Sequence, residues 1–137
     1  YAAHGFAWLS TYVTALAHLL AEDRRPPVEL WQEELVTSRL LEYELWTRLH
    51  ARGLARSHGD VARLLLARLA WLELRPPVLE RALQPFPAPV RTLDALHLAS
   101  VSFLREHGRD VRLATYDKRM MRVARAMGIP LMGARTS

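Results

Sequence analysis

Apolar residues recur along this chain with two different periods, and the switches between them mark short strands alternating with helices. From Arg39 to Arg52 the residues Leu41, Leu45 and Leu49 return every fourth position, Leu40 and Tyr43 widen the stripe, and Gly53 supplies a stop. That pattern predicts a helix. Just before it, Leu35-Val36-Thr37 reads as a short buried strand, with Thr37 or Ser38 placed to cap the helix. A second helix is expected from about Gly59 to Ala70 with Val61, Leu64, Leu65 and Leu69 inward, followed by a strand candidate at Trp71-Leu72-Glu73-Leu74. Thr92 is placed to cap a helix running through His107 to a stop at Gly108, with Leu96 on its buried face. The β-branched run Val111 to Thr115 predicts a strand, Lys118 to Met127 a helix ended by Gly128, and Ile129 to Met132 a last short strand.

Prolines at Pro26-Pro27, Pro76-Pro77 and Pro85 to Pro89 mark sharp connections, and residues 14–22 and 28–34 read as short helices on either side of the first pair. The stretch Tyr1 to Ala21 carries no Asp, Glu, Lys or Arg. His4, Gly5, Ser10, Thr11, Tyr12, Thr14 and His18 nevertheless interrupt it and no basic segment precedes it, so it reads as a buried strand and helix rather than a membrane or signal segment. Strands alternating with helices point to an α/β fold with a parallel sheet, where chemistry gathers at the carboxyl ends of the strands. A chain of 137 residues fits one domain, residues 1–137, that buries roughly two thirds of its surface on folding.

Composition sharpens this picture. The absence of cysteine excludes a disulfide framework, a thiolate metal site and a cysteine nucleophile, and fits an intracellular, cytoplasmic protein. The formal net charge of +5 favours polyanionic or acidic partners. Lys118 is the sole lysine, so the positive charge is almost all arginine, whose planar fork suits phosphate and carboxylate.

Three carboxylates stand where the strand-end rule puts a site, or beside it: Asp117 just after the strand 111–115, Asp94 in the first turn of a long helix, and Glu44 inside the helix after Leu35 to Thr37. Each also has a plain structural role open to it. Asp117 can cap the helix beginning at Lys118, Asp94 can complement a helix N-terminus, and Glu44 can pair with Arg48.

Their surroundings shift the balance. Thr37-Ser38-Arg39-Leu40-Leu41-Glu42-Tyr43-Glu44-Leu45, Arg91-Thr92-Leu93-Asp94-Ala95-Leu96-His97-Leu98-Ala99 and Ala114-Thr115-Tyr116-Asp117-Lys118-Arg119-Met120 occur in that order. Together they resemble the PIN domain family, specifically the VapC-type toxin ribonucleases of toxin–antitoxin pairs, over about residues 12–132. The resemblance implies a three-layer α/β domain, a short parallel sheet flanked by helices, with acidic residues at one edge binding Mg²⁺ or Mn²⁺ for RNA hydrolysis. Carried over motif by motif, Glu44, Asp94 and Asp117 match three of those acids, and Thr115 matches the polar residue before the last. Ser38 is a candidate support for a ligand or water. The implied reaction is phosphodiester hydrolysis leaving a 3′-hydroxyl and a 5′-phosphate. The implied partners are an RNA substrate, a small antitoxin and, in a homodimer, a second copy of the chain. Hard divalent cations want oxygen ligands, and crowded carboxylates need a cation or a raised pKa to relieve their repulsion.

The chain departs from the family at its first strand, which normally ends in an Asp followed by a Thr or Ser pair. Here the stretch reads Thr11-Tyr12-Val13-Thr14-Ala15-Leu16-Ala17-His18, with no carboxylate before Glu22, and residues 1–10 ahead of it are atypical for the family. A second reading follows, a PIN-like module that binds RNA or a partner without cleaving. A third makes the acids separate caps and ion pairs, and requires that they not be neighbours in space.

Glu42 lies about 200° around the helix from Glu44, so only one of them faces a site, and the motif favours Glu44 with Glu42 left near Arg39. His97, one turn after Asp94, is within reach of the site by spacing and is read chiefly as a packing or surface residue. Arg39, Arg91 and Arg119, with Arg24, Arg25, Arg122 and Arg125, are candidate contacts to the RNA backbone, and a solvated face with local ion pairs is their plain alternative. Trp8, Trp31, Tyr43 and Trp46 are expected in the core or at a dimer contact.

Overall fold

The computed structural model describes residues 9–14 and 34–132. Four strands, β1 (Leu9–Val13), β2 (Glu34–Ser38), β3 (Ala70–Leu72) and β4 (Asp110–Ala114), form one sheet in the order β3-β2-β1-β4. All pairings are parallel, with Tyr12 opposite Val36 and Leu113, and Val13 opposite Ala114. Among the described residues the helices are α1 (Leu40–Ala51), α2 (Ala55–Leu66), α3 (Pro76–Ala82), α4 (Thr92–Glu106) and α5 (Lys118–Ala126). This is the expected parallel α/β architecture.

Because successive strand residues face opposite ways, the sheet separates two cores. Val13, Leu35 and Ala114 face Leu41, Leu45, Leu49, Ala62 and Leu66 of α1 and α2. Tyr12, Val36, Val111 and Leu113 face Leu98, Val101 and Leu104 of α4 and Met120 and Val123 of α5. Three layers result, with the sheet in the middle. The chain steps from β1 to β2 on one side and returns with β4 on the other, so the β1/β4 boundary is a topological switch point.

Several expectations change in detail. Helix α2 starts at Ala55 and ends at Leu66, and its buried positions are Gly59, Ala62 and Leu66, while Val61 and Leu64 face solvent. Apolar residues three and four apart satisfied two overlapping stripes there, and the one built on small residues packs closer to α1. Tyr43 is likewise exposed rather than buried, and Leu96 only half-buried, whereas Trp46 packs against the α1/α2 core. Pro76 and Pro77 open α3 rather than marking only a connection, since proline's fixed φ and missing N–H suit the first helical turn. Strand β3 covers Ala70–Leu72, and among the described residues the expected last strand 129–132 is reduced to a single bridge of Leu131 to Leu113. Thr92 is the first residue of α4, whose cap position falls on Arg91 without a side-chain bond. Thr14 follows a strand and Glu34 opens one, so these two outer residues of the expected helices 14–22 and 28–34 are not helical. Their interiors, residues 1–8, Trp31, Arg24 and Arg25 lie outside the described residues. No helix among the described residues is long and apolar enough to cross a membrane.

Candidate active site

Each acid arrives from a different element. Glu44 sits one turn into α1, at the border of the buried face formed by Leu41, Leu45 and Leu49. Asp94 lies in the first turn of α4, where free backbone N–H groups and the helix dipole favour negative charge. Asp117 caps α5, its Oδ1 accepting from the amides of Arg119 at 2.8 Å and Met120 at 3.2 Å. Thr115 shapes the turn into that cap, its Oγ1 accepting from the Asp117 amide at 3.1 Å. At the end of β1 the Thr14 amide donates to the Ala114 carbonyl at 3.0 Å, which fastens the two sides of the switch point together.

Thr14, Glu44, Arg48, Arg91, Asp94, His97 and Asp117 line one cavity of about 340 Å³ at this carboxyl edge, together with Thr92, Leu93 and Met120. The structure thus brings all three sequence-predicted acids to one place, against the reading in which they are unconnected caps. Asp117 is at once a cap and a wall of the cavity. Arg91 lines it too. Arg39 does not: its guanidinium bonds Glu73 at 3.0 Å, lies 3.8 Å from Glu42 and stacks over Trp71. Arg119 lines a separate groove against Pro87 and Pro89. Ser38 does not line the cavity either: it is fully buried, its Oγ accepting from the Leu40 amide at 3.3 Å.

The sequence reading leans away from His97 as a residue of the site and misses its partner Tyr12. His97 is not a surface residue: it is 1% exposed, and its Nε2 lies 2.5 Å from Oε1 of Glu44. Its Nδ1 lies 2.8 Å from the hydroxyl of Tyr12, a fully buried side chain of β1. Burial pushes the Tyr12 phenol up to about 12, an effect that hydrogen bonding to Ser38 and Ser100 offsets only in part, so the hydroxyl keeps its proton. The available signal was a polar pair, His97 and Ser100, three residues apart on an otherwise apolar helix face.

Electrostatics single out Asp94. Burial raises its carboxyl above the ordinary value of 3.8, the negative charge of Asp117 raises it further, Arg91 and His97 pull it down, and Glu44 adds to the rise. At Asp94, burial and the neighbouring carboxylates together outweigh the pull of Arg91 and His97. The donor chemistry fits a hard divalent cation, which takes oxygen ligands and, when it is Mg²⁺, is held by one or two carboxylates while keeping several waters. Among the described residues no three Asp, Glu or His side chains gather tightly enough to hold an ion together, and such a partly hydrated mode does not require it.

Comparison with known proteins follows the same lines as this geometry. The PIN domain profile matches residues 14–126, a span from the end of β1 to the end of α5 that includes every acid lining the cavity. Ribonuclease VapC46 of Mycobacterium tuberculosis (strain ATCC 25618 / H37Rv) is 37% identical over 98 residues, covering 71% of this chain and 72% of that protein. With sheet order, cavity and sequence in agreement, the chain belongs to the PIN domain family, and within it to the VapC type.

Proposed function

We propose that this chain is a metal-dependent endoribonuclease, the toxin of a type II toxin–antitoxin pair, with Glu44, Asp94 and Asp117 as ligands of Mg²⁺ or Mn²⁺. The observation that carries the reading is the convergence of these carboxylates, from three separate elements, on one cavity at the switch point of the sheet. These carboxylates would hold a divalent cation, which would supply Lewis-acid activation of a water and charge neutralisation at the leaving oxygen. The chain's own part is to hold the carboxylates at the end of a rigid sheet and to receive a phosphate. Arg91, already in the cavity, is the first phosphate contact, with Arg39 and Arg119 further out on the basic body. Thr115 and Ser38 support the backbone turns that carry Asp117 and Glu44.

An acidic cavity in a chain of net charge +5 suits both RNA phosphates, through the metal, and an arginine offered by a small antitoxin. The 37% identity to a protein named as a VapC ribonuclease supports that assignment. We place the protein in the cytoplasm as a homodimer of single PIN-like domains spanning residues 1–137, with an atypical segment 1–10.

One observation favours a second reading. Thr14 occupies the end of β1, where the family has an Asp, and is buried at the cavity wall. A site short of one carboxylate holds metal more weakly and serves a module that binds RNA without cutting it. Incubation of a mixed RNA with the purified chain in Mn²⁺, in EDTA, and with Asp94→Asn separates the two. Cleavage lost in both controls establishes the nuclease. A folded chain that retains RNA equally well in chelator and never cleaves it establishes the binding module.

A further inference from the structure

The buried chain of contacts from Tyr12 through His97 to Glu44 joins the second core to the wall of the cavity. An ionised carboxylate only accepts hydrogen bonds, so the short contact at Glu44 requires a hydrogen on Nε2 of His97 whether the ring is neutral or cationic. In the neutral ring Nδ1 is then an acceptor, and the Tyr12 hydroxyl must donate to it. Each member is held. Tyr12 and His97 are buried by sheet and helix, and Glu44 is 15% exposed, reached from the cavity on its remaining side. A carboxylate gripped at Oε1 by a ring that cannot turn has one orientation, with Oε2 left for another partner.

We propose that His97 is a positioning residue, oriented by the Tyr12 hydroxyl, which fixes the Glu44 carboxylate for a divalent cation. The inference deepens the metal reading of the site and rests on it. Hydrogen-bond partners behind a ligating carboxylate set its direction, and their loss weakens metal binding roughly tenfold to a hundredfold. The plain alternative is that His97 only fills space between β1 and α4.

The test measures Mn²⁺ affinity of the full chain by the electron-spin signal of free Mn²⁺, beside the ¹⁵N shifts of the His97 ring. His97→Gln keeps an N–H near the place of Nε2, and His97→Leu keeps the volume without the donor. Positioning predicts that the Leu variant loses about tenfold or more in affinity while the Gln variant retains most of it. Tyr12→Phe, which leaves the imidazole in place, is expected to lose severalfold and to shift the ring toward the Nδ1–H tautomer. In a Glu44→Gln background His97→Leu should add nothing, because the group it positions is gone.

Space filling predicts the opposite order, with Leu tolerated and Gln disruptive, and an equal loss with or without Glu44. Either result in a cooperatively unfolding protein overturns the proposal, as does a wild-type ring without a hydrogen on Nε2. If the Leu variant does not fold, the Tyr12→Phe comparison decides. A wild-type chain that takes up no Mn²⁺ overturns the metal reading instead, and the grip of His97 on Glu44 is then judged by whether Glu44→Gln moves the ring nitrogen shifts.

Discussion

The Thr14 amide and the Ala114 carbonyl meet at 3.0 Å, continuing the β1/β4 ladder one residue beyond Val13 and bringing the end of β1 to the loop that delivers Asp117. A side chain at position 14 is thereby committed to the cavity wall. Thr14→Asp is therefore expected to place a fourth carboxylate there, lowering stability without metal and tightening Mn²⁺ binding by about tenfold, since affinity follows ligand charge count. Thermal unfolding with and without Mn²⁺, beside an Mn²⁺ titration, checks both. Unchanged affinity in a folded variant would place residue 14 outside the metal's reach.

Asp94 carries a pH signature. Its carboxyl is raised in the folded protein above the ordinary 3.8, by burial first and then by Asp117, so the folded state binds that proton more tightly than the unfolded chain does. The stabilisation this linkage contributes is complete below 3.8 and is lost as pH rises through the raised value. Asp94→Asn, neutral at every pH, should unfold at a higher temperature than the wild type at neutral pH, with the gap closing as pH descends toward 3.8. The same variant should lose metal-dependent cleavage. A gap that stays constant with pH would sink the electrostatic account.

Asp117 has two duties, which two substitutions separate. Asn at the cap position still offers an oxygen to the amides of Arg119 and Met120, so Asp117→Asn should fold nearly as the wild type while abolishing cleavage. Asp117→Ala removes the cap as well and is expected to cost about 1 kcal/mol more. Denaturant unfolding of both variants measures the difference, and equal stability of the two would mean that the cap contributes nothing.

The two leucine environments are checked in the same way. Leu98→Ala empties a fully buried site between α4 and the sheet and should cost roughly 2 to 5 kcal/mol, lowering activity only through unfolding. Leu64→Ala, on the exposed side of α2, should stay within about 0.5 kcal/mol. A large loss at Leu64 in dilute solution would point to a partner covering that face.

Helices α1, α2, α4 and α5, strands β2, β3 and β4, and the three acids that share the cavity were legible because each rests on a local rule. Leu41, Leu45 and Leu49 declare a helix face by spacing alone, and all three are buried. Asp117 after a β-branched run declares a strand end and a cap together. What stayed hidden depends on packing between distant segments. Nothing near Val61 or Leu64 says that Ala62, a smaller residue, meets α1, because helix–helix distance decides which stripe goes inward. His97 reads as filler until Tyr12, 85 residues earlier, is seen to reach its ring. Pro76 and Pro77 read as a break by composition and start a helix by position.

The parallel sheet also sets when the site comes into being. Synthesis delivers β1 first and β4 last of the four strands, and β4 pairs with β1 across 100 residues of chain, measured from Thr14 to Ala114. Glu44 and Asp94 emerge earlier, but the element that brings Asp117 to them docks only after β4 has left the ribosome and found β1. A chain still being translated thus carries its carboxylates without the cavity that unites them, and a prematurely terminated one never acquires it. The cavity is thus completed by a pairing between strands far apart in sequence, a kind of contact that forms more slowly than the local turns of a helix.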